Sequence, residues 1–398
     1  MKDSNHTIPL SRPDISPLEI DSVLEVLKTP YLSLGPKLPE FEQKFAEYVG
    51  SEYAVAVSSG TAGLHLAIKS LGIGLNDAVI TTPFSFVASA NCILFEGATP
   101  IFIDIEENTL NLDINKVKEY LEKSCYSSSG KLFDQKTGKC VKAILPVHVF
   151  GQPCEMVEIM ELAHEFNLYV IEDACEAIGA EVDGKKVGTF GNLGVFAFYP
   201  NKQMTTGEGG MIVTDDENLT NLLRSLRNQG RGHHGGWLAH DQLGYNYRLS
   251  DLNCALGIAQ LSRIEEILEK RKKVASLYNA KLNGIVKAPG TNSGFRKSWF
   301  VYVVCLSAEY TQKARDAILD GLSKNNIGCN NYFPPIHLQP YYKKKFGYKE
   351  GDFPITERIS ERTIALPFYN NLTEEDISLV VDSFKGLLKS LNADSRQL

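Results

Sequence analysis

The chain has 398 residues and a formal net charge of −7, with 43% hydrophobic and 22% charged residues. This length exceeds what one ordinary hydrophobic core organises, so two domains of unequal size are expected. The acidic excess argues against nucleic acid or an anionic membrane as the main partner, because binding phosphates in number requires a surplus of cations.

Short β-branched runs alternate with longer amphipathic runs from residue 53 onward. In chain order they read YAVAV, TAGLHLAIKSL, AVITT, TPIFIDI, KAILPVHV, EIMELAHEFN and LYVIEDA. Strands alternating with helices predict an α/β fold with a mostly parallel sheet that is flanked by helices on both faces. Ligands of such sheets bind at the carboxyl ends of the strands.

The segment VSSGTAGLHLAI places Ser59, Gly60 and Thr61 between a predicted strand and a predicted helix. Backbone N–H groups at a helix start, with the positive end of the helix dipole, favour anions, and glycine lets an anion approach closely. The segment therefore predicts a phosphate cradle. Ser and Thr are also common helix N-caps, which is the structural alternative.

The run LYVIEDA ends in two adjacent acids, Glu172 and Asp173, whose side chains point to opposite faces of a strand. A carboxylate at the end of a buried parallel strand is poorly solvated and requires a cationic partner. The alternative is that Asp173 caps the helix that follows.

In GVFAFYPNKQMTTGEGG, Lys202 follows an apolar run that predicts a buried strand. Burial lowers the pKa of a lysine toward that of a usable nucleophile, and such lysines form Schiff bases with carbonyl compounds. The alternative is a lysine that extends its ammonium group from a strand end into solvent.

Residues 249–282 form a long helical pattern that is typical of a helix bridging two domains. Beyond it, SWFVYVVCL, RDAILDGLSKNNI and TEEDISLVVDSFKGLL predict a strand, a helix and a terminal helix. We therefore expect a large cofactor-binding domain of residues 1–261, with an extended segment at 1–15, and a small C-terminal α+β domain of residues 262–398. The polar stretch 124–140 is expected to be a surface excursion.

An anion cradle, a buried carboxylate and a nucleophilic lysine together meet the needs of one cofactor, pyridoxal phosphate. The cradle holds the phosphate, the carboxylate keeps the pyridine nitrogen protonated, and the lysine binds the aldehyde. The sequence therefore predicts a pyridoxal phosphate enzyme.

Several motifs in order carry a resemblance over nearly the whole chain. They are SSGTAGLHLA, TPFSFVASANCILFEGATPIFIDI, PVHVFGQPCEM, VIEDACEAIGA, GVFAFYPNKQMTTGEGGMIVTDD and GYNYRLSDLNCALGIAQL. The chain resembles the DegT-type nucleotide-sugar aminotransferases, a branch of the fold-type I pyridoxal phosphate enzymes.

The resemblance implies a role for six positions. Lys202 corresponds to the Schiff-base lysine and Asp173 to the partner of the pyridine nitrogen. Phe86 corresponds to the aromatic residue that stacks on the cofactor ring. Gly60 and Thr61, with Ser59 beside them, correspond to the backbone phosphate cradle. Asn246 corresponds to an asparagine that reaches the phosphate in the neighbouring subunit, which implies a homodimer with shared active sites.

The chain departs from the family pattern at two positions. Glu176 stands where the family often has glutamine, and it is expected to contact the cofactor as an acceptor or as a protonated acid. Ala197 stands where a serine often helps to hold the phosphate, so one phosphate contact is absent there.

A lysine at position 202, rather than the histidine of sugar-dehydrating relatives, favours transamination. The resemblance implies glutamate as amino donor, a nucleotide-linked keto-sugar as acceptor, and pyridoxamine phosphate as the half-reaction form. The product would serve amino-sugar or polysaccharide biosynthesis. Two alternatives stay open: a pyridoxal phosphate-dependent sugar dehydratase or lyase, and a non-catalytic regulatory protein that binds the cofactor.

Five polar residues are candidates to line a substrate pocket, with satisfied loop residues as the alternative. They are Tyr31, Ser33, His148, Arg231 and His337. Arg231 would bind a donor carboxylate or a diphosphate. The glycines of GRGHHGGW predict a mobile loop over the site, and His233 and His234 there could hold a stray metal without function.

No apolar run approaches the roughly 20 residues that cross a bilayer, and MKDSNHTIPLSRPDIS lacks the apolar core of a signal peptide. We therefore expect a cytoplasmic protein. The eight cysteines include no CxxC pair and no metal-ligand spacing, so reduced thiols and no metal site are expected.

Overall fold

A computed structural model describes residues 6–232 and 239–394, with side chains as far as residue 391. The α-helices in these residues are α1 (Pro17–Leu27), α2 (Lys37–Val49), α3 (Gly60–Ser70), α4 (Ala88–Phe95), α5 (Ile114–Lys123), α6 (Met156–Glu165), α7 (Glu217–Arg227), α8 (Asp251–Ser262), α9 (Ile264–Leu282), α10 (Gln312–Lys324), α11 (Pro340–Phe346), α12 (Pro354–Ser360) and α13 (Glu374–Asp394). Short 3-10 helices span Val149–Gly151 and Ile336–Leu338.

The strands in the described residues are β1 (Tyr53–Val57), β2 (Asp77–Thr81), β3 (Thr99–Phe102), β4 (Cys125–Ser128), β5 (Lys131–Asp134), β6 (Cys140–Ile144), β7 (Tyr169–Asp173), β8 (Glu181–Val182), β9 (Lys185–Lys186), β10 (Leu193–Ala197), β11 (Gly210–Thr214), β12 (Phe295–Arg296), β13 (Tyr302–Cys305) and β14 (Thr363–Leu366).

The central sheet has the strand order β1-β11-β10-β7-β6-β2-β3. Strands β10, β7, β6, β2 and β3 run parallel, and β11 is antiparallel to both β1 and β10. The predicted α/β fold with a mostly parallel sheet is confirmed. The stretch 124–140 forms the hairpin β4–β5, which joins the sheet beside the first residue of β6.

Helices cover both faces of this sheet. Alternate side chains of each strand point to opposite faces, so the strands are apolar throughout because both faces are buried. In β1, Val55 and Val57 join a core cluster that includes α3 residues, whereas Ala54 and Ala56 join a second cluster with Phe45 of α2. Strand β11 is buried at all five residues for the same reason. The carboxyl ends of the parallel strands are thereby left as the accessible edge.

The long helical pattern at 249–282 is two helices rather than one. Between α8 and α9, Arg263 leaves helical geometry with φ −109° and ψ 9°. Its guanidinium forms ion pairs with Glu19 at 2.8 Å and Asp14 at 3.6 Å. The helical geometry is therefore interrupted at Arg263, whose side chain forms ion pairs with the N-terminal segment.

Beyond α9, the antiparallel pair β13–β14 packs with α9, α10 and α13 around a core of its own. The N-terminal segment also lies here, because Ile8 pairs in parallel with Ile327. Strand β12 pairs with β8, which links this part back to the first half. The division into domains at residues 261 and 262 stays a prediction.

A buried arginine in α9 holds the segment that precedes β13. The Arg271 guanidinium donates from Nε to the carbonyl of Trp299 at 2.8 Å and from Nη2 to that of Phe300 at 2.7 Å. Nη1 donates to Asn370 Oδ1 at 2.9 Å. Burial lowers the pKa of Arg271 to about 9, and the carbonyl dipoles compensate part of that cost.

Replacing Arg271 with leucine should lower the free energy of unfolding by about 3 kcal/mol, because two buried carbonyls lose their donor. Chemical denaturation of the purified protein measures this. Lys273→Leu, at an exposed position of the same helix, is the matched control and should change stability by less than about 0.5 kcal/mol. Equal losses in the two variants would contradict a specific role for Arg271.

Candidate active site

The first turn of α3 is the predicted phosphate cradle. Ser59 caps the helix by accepting from the N–H of Ala62 at 3.1 Å, and its carbonyl accepts from Gly63. No described residue accepts from the N–H groups of Gly60 or Thr61. Ser59 is therefore the helix N-cap, as the structural alternative proposed. The N–H groups of Gly60 and Thr61 remain without an acceptor at the positive end of the helix dipole.

This helix start lies directly on the sheet. A Cβ atom at Gly60 would stand 2.6 Å from Ala197 Cβ and 2.9 Å from Cys175 Sγ. A Cβ atom at Gly210 of β11 would stand 2.6 Å from the Ser59 carbonyl. These small residues let the two free N–H groups lie close to the ends of β7 and β10. Ala197 belongs to this packing contact and carries no hydroxyl group.

Asp173 is the last residue of β7 and is buried. Ser89 Oγ donates to its Oδ2 at 2.8 Å, and the N–H of Cys175 donates to its Oδ1 at 3.1 Å. No helix begins in the residues directly after Asp173, 174–180, so the helix-cap alternative fails. Sequence reasoning missed Ser89, although it lies three residues after Phe86, a spacing that puts both on one side of a helical turn.

The neighbouring acid, Glu172, has a structural role instead. Its carboxylate accepts from the N–H groups of Gly188, Phe190 and Gly191 at 2.6–2.7 Å. His148 Nε2 lies 3.2 Å from Glu172 Oε2, and His148 Nδ1 accepts from the N–H of Cys154 at 3.0 Å. The prediction that His148 lines a substrate pocket is wrong, because the ring is fully buried and both nitrogens are in use.

Lys202 lies five residues beyond the end of β10, in a turn closed by its own N–H and the carbonyl of Tyr199. The expected position at a strand end is therefore wrong. Its side chain is 14% exposed, with Nζ 3.4 Å from Glu176 Oε1. Nζ also lies 3.8 Å from the centre of the Phe300 ring. The ammonium group thus points into the protein and not into solvent.

Glu176 is fixed between this lysine and the backbone. Its Oε2 accepts from the N–H of Phe150 at 2.9 Å, where the backbone adopts the left-handed φ of 59°. Burial raises the pKa of Glu176, and the Lys202 ammonium works in the opposite direction. The departure from glutamine thus introduces an acid that can hold a proton next to the lysine.

Phe86 is 59% exposed and forms one wall of a pocket of about 710 Å³. Phe95, Phe333 and Tyr341 also line this pocket. Ser89 Oγ lies 3.2 Å from the backbone carbonyl oxygen of Phe86 and 2.8 Å from Asp173 Oδ2. Ser89 thereby connects the backbone of a pocket-lining residue to Asp173.

His337 lies behind the wall of this pocket. Its Nε2 bonds to Glu357 Oε1 at 3.0 Å and its ring packs against Phe353. Burial lowers the pKa of His337, and Glu357 opposes that shift. The prediction of a direct substrate contact is wrong, because the side chain is fully buried.

Tyr31, Ser33, Arg231 and Asn246 lie on loops around the start of α8. Ser33 forms a backbone bridge with Ser250, Asn246 with Asn228, and Arg231 with His240. Their substrate and cofactor contacts stay predictions. His233 and His234 lie outside the described residues. No group of three His, Cys, Asp or Glu side chains among residues 6–232 and 239–394 is placed to hold a metal.

A family model for the DegT/DnrJ/EryC1/StrS aminotransferases matches residues 13–385. The chain belongs to this family. A GDP-perosamine synthase from Caulobacter vibrioides is 37% identical, over 96% of this chain and 98% of the relative. The spore coat polysaccharide biosynthesis protein SpsC of Bacillus subtilis is 36% identical, over 97% and 98%. A Brucella abortus family member of known structure shares 30% identity with a TM-score of 0.83, over 92% and 94%.

Membership makes this protein a pyridoxal phosphate-dependent sugar aminotransferase of fold type I, and the predicted family, fold, enzyme class and cofactor are confirmed. The DegT-family site fits the cofactor in chemical terms. The first turn of α3 has two N–H groups without an acceptor in the described residues, β7 ends in a buried carboxylate, Phe86 presents an exposed phenyl ring, and Lys202 points inward. In the described residues we find no helix with the length and apolar character of a bilayer span.

Glu176→Gln should change the pH dependence of stability of the cofactor-free protein. A carboxyl pKa raised by folding stabilises the native state only at low pH, and that stability is lost as pH rises from the ordinary value of 4.5 through the raised value. Glutamine does not titrate. The melting temperature of the variant relative to wild type should therefore increase from pH 4.5 toward pH 8.

Thermal unfolding across this pH range, with exposed Glu350→Gln as control for general pH effects, measures the difference. A Glu176→Gln curve parallel to wild type would contradict a raised pKa.

Ser89→Ala should weaken cofactor binding about tenfold, because Asp173 loses a donor that orients its carboxylate. Equilibrium titration with pyridoxal phosphate measures the dissociation constant. Ser85→Ala removes a hydroxyl that bonds to Ser89 at 2.9 Å but not to Asp173, and should have a smaller effect. Equal effects of the two substitutions would indicate general loosening of this turn.

Proposed function

We propose that this DegT-family enzyme transfers an amino group from glutamate to a nucleotide-linked keto-sugar and so makes an amino sugar for polysaccharide. Relatives named GDP-perosamine synthase and spore coat polysaccharide biosynthesis protein support the sugar class. The observation that carries the proposal is the inward-facing Lys202, which is paired with the buried carboxylate of Glu176. A protein that only bound the cofactor would not require this buried amine.

Asp173 is the proposed partner of the pyridine nitrogen. Its carboxylate is held by Ser89 and by the N–H of Cys175, so its geometry is set before any ligand arrives. Pyridoxal phosphate, once bound, supplies an electron sink for negative charge at the substrate carbon. Thr61 and Gly60 supply phosphate donors, and Phe86 offers a flat face for the ring.

Lys202 is the proposed proton carrier and the residue that binds the cofactor aldehyde. Its Nζ is shielded from water and lies between the Glu176 carboxylate and the face of Phe300. An amine so placed can take a proton from the substrate carbon and return it nearby. Glu176, whose pKa is raised by burial, can hold that proton at Oε1.

The proposed active unit is a homodimer in which Asn246 serves the second subunit. The Asn246 side chain is exposed and has no hydrogen bond to any described residue. Eight of the exposed large apolar side chains lie between Ile15 and Leu34, on α1 and the segments directly before and after it. A concentration of this kind is typical of a surface that a partner covers. The cytoplasmic location stays a prediction.

A panel of nucleotide-linked 3-keto and 4-keto sugars with glutamate, beginning with GDP-linked compounds, tests the reaction through the mass of the product. Wild type should yield an amino sugar. Lys202→Ala should lose at least about a thousandfold in rate and the visible absorbance of the bound cofactor. Lys185→Ala is the matched control, since this exposed lysine also lies over a phenyl ring, that of Phe190, but outside the site.

The other outcomes separate the remaining functions. A product that has lost a hydroxyl group without gaining nitrogen would support a dehydratase. Bound cofactor with no turnover of any sugar or amino donor would support a non-catalytic protein. Full activity of Lys202→Ala would contradict the role of this lysine.

A further inference from the structure

A largely buried ionic cluster lies at the end of α4, outside the cofactor site. Glu96 Oε1 accepts from His65 Nε2 at 2.8 Å and from the Tyr245 hydroxyl at 3.1 Å. Glu96 Oε2 accepts from Lys69 Nζ at 3.1 Å. Burial alone would raise the pKa of Glu96, but the hydrogen bonds from His65 and Lys69 outweigh it and lower the pKa. One carboxylate therefore gathers three donors.

The second half of this cluster is a pair of tyrosines on one strand-like segment. His65 Nδ1 lies 3.1 Å from the Tyr247 hydroxyl. The rings of Tyr245 and Tyr247 stack with centroids 5.0 Å apart and planes 14° apart. Both rings also contact the His65 imidazole edge to face, at 4.8 and 5.9 Å. The five residues, Glu96, His65, Lys69, Tyr245 and Tyr247, are named the α3–α4 clamp.

Asn246 stands between the two clamped tyrosines. The N–H groups of Tyr245 and Tyr247 donate to the carbonyls of Leu226 and Arg227 at 2.6 and 2.9 Å. Successive side chains of an extended segment point to opposite sides. With both tyrosines fixed toward α3, the Asn246 side chain is directed away from the clamp, where it is exposed.

The clamp also ties this segment to the phosphate cradle of the same chain. The N–H of Ser58 donates to the carbonyl of Tyr247 at 2.8 Å. Helix α3 begins at the cradle and carries His65 and Lys69 further along. A rigid helix therefore connects a subunit's own phosphate site to the segment that presents Asn246.

We propose that Glu96 and His65 are positioning residues: the α3–α4 clamp holds Asn246 in the place where it binds the cofactor phosphate of the second subunit. This inference rests on the proposed function, in which Asn246 acts across the dimer. Glu96 and His65 touch neither cofactor nor substrate. They act by limiting the conformations of residues 245–247, which reduces the entropy lost when Asn246 binds.

Glu96→Gln keeps the shape of the side chain but removes the charge that gathers three donors. It should raise the dissociation constant of pyridoxal phosphate about tenfold. Tyr247→Phe removes only the hydroxyl that meets His65 and should give a smaller increase. Asn246→Ala should weaken binding at least as much as Glu96→Gln. Dimer mass, measured by light scattering, should be unchanged in all three.

Mixed dimers test whether the clamp acts across the interface. A Lys202→Ala chain and a Glu96→Gln chain, each with its own affinity tag, are co-expressed and the mixed species is purified. One active site of this dimer combines the intact Lys202 of the Glu96→Gln chain with Asn246 of the Lys202→Ala chain, whose clamp is intact. This site should form the visible lysine–cofactor absorbance with wild-type affinity, at one cofactor per dimer.

The matched control carries both substitutions on one chain, paired with a wild-type chain. The wild-type chain has the intact Lys202, and its site receives Asn246 from the chain whose clamp is damaged. This site should bind pyridoxal phosphate about tenfold more weakly than wild type. If instead the first mixed dimer binds pyridoxal phosphate weakly and the control dimer binds it with wild-type affinity, the clamp acts within its own subunit and the inference is overturned. Should Glu96→Gln fail to dimerise, the same pairings with Tyr247→Phe decide.

Failure of the proposed function gives a different result. A monomeric wild type, or unchanged affinity in Asn246→Ala, would remove the role of Asn246 and with it the inference. Weak binding by Asn246→Ala together with normal binding by both Glu96→Gln and Tyr247→Phe would overturn the clamp alone.

Discussion

The close contact between the start of α3 and the central sheet is the constraint on which the site depends. Gly60 lies against Ala197 and Cys175, and Gly210 lies under the Ser59 carbonyl, so no side chain fits between helix and strands. The free N–H groups of the first turn are thereby brought beside Asp173 and the segment that carries Lys202. A helix held farther from the sheet by one methyl group would move these N–H groups away from Asp173 and from the segment that carries Lys202.

A second feature of this DegT-family fold is a set of buried carboxylates. Glu172, Asp173, Glu176 and Glu96 are all mostly removed from water, and each is compensated by N–H or O–H donors. The kind of hydrogen-bond donor differs with the role of each carboxylate. Glu172 accepts from backbone N–H groups and stabilises a turn, whereas Asp173 accepts from the Ser89 hydroxyl and from the N–H of Cys175. Fixed dipoles of this kind do not reorganise during a reaction, which favours catalysis.

Helix α3 connects two functions that are far apart in the sequence. Its first turn offers the anion donors, and its later turns anchor the tyrosines on either side of Asn246. A displacement of α3 would alter both places. In a dimer with shared sites, such a helix would transmit a change in one site to the other through a rigid element rather than through a flexible loop.

The fold class, the family and the cofactor could be predicted from the amino-acid sequence, because these depend on local signals. Strand and helix periodicity predicted the parallel sheet, and the order of a Gly-containing helix start, a terminal acid and a lysine met the needs of one cofactor. The sequence could not place His148 or His337, because a polar residue in a loop has the same sequence pattern whether it faces a pocket or a buried acid. Nor could it show the break at Arg263 or the distance from β10 to Lys202. These points became visible in the folded chain, as did the contacts of Ser89, Phe300 and the α3–α4 clamp, because contacts between residues tens or hundreds of positions apart depend on how the helices pack on the sheet.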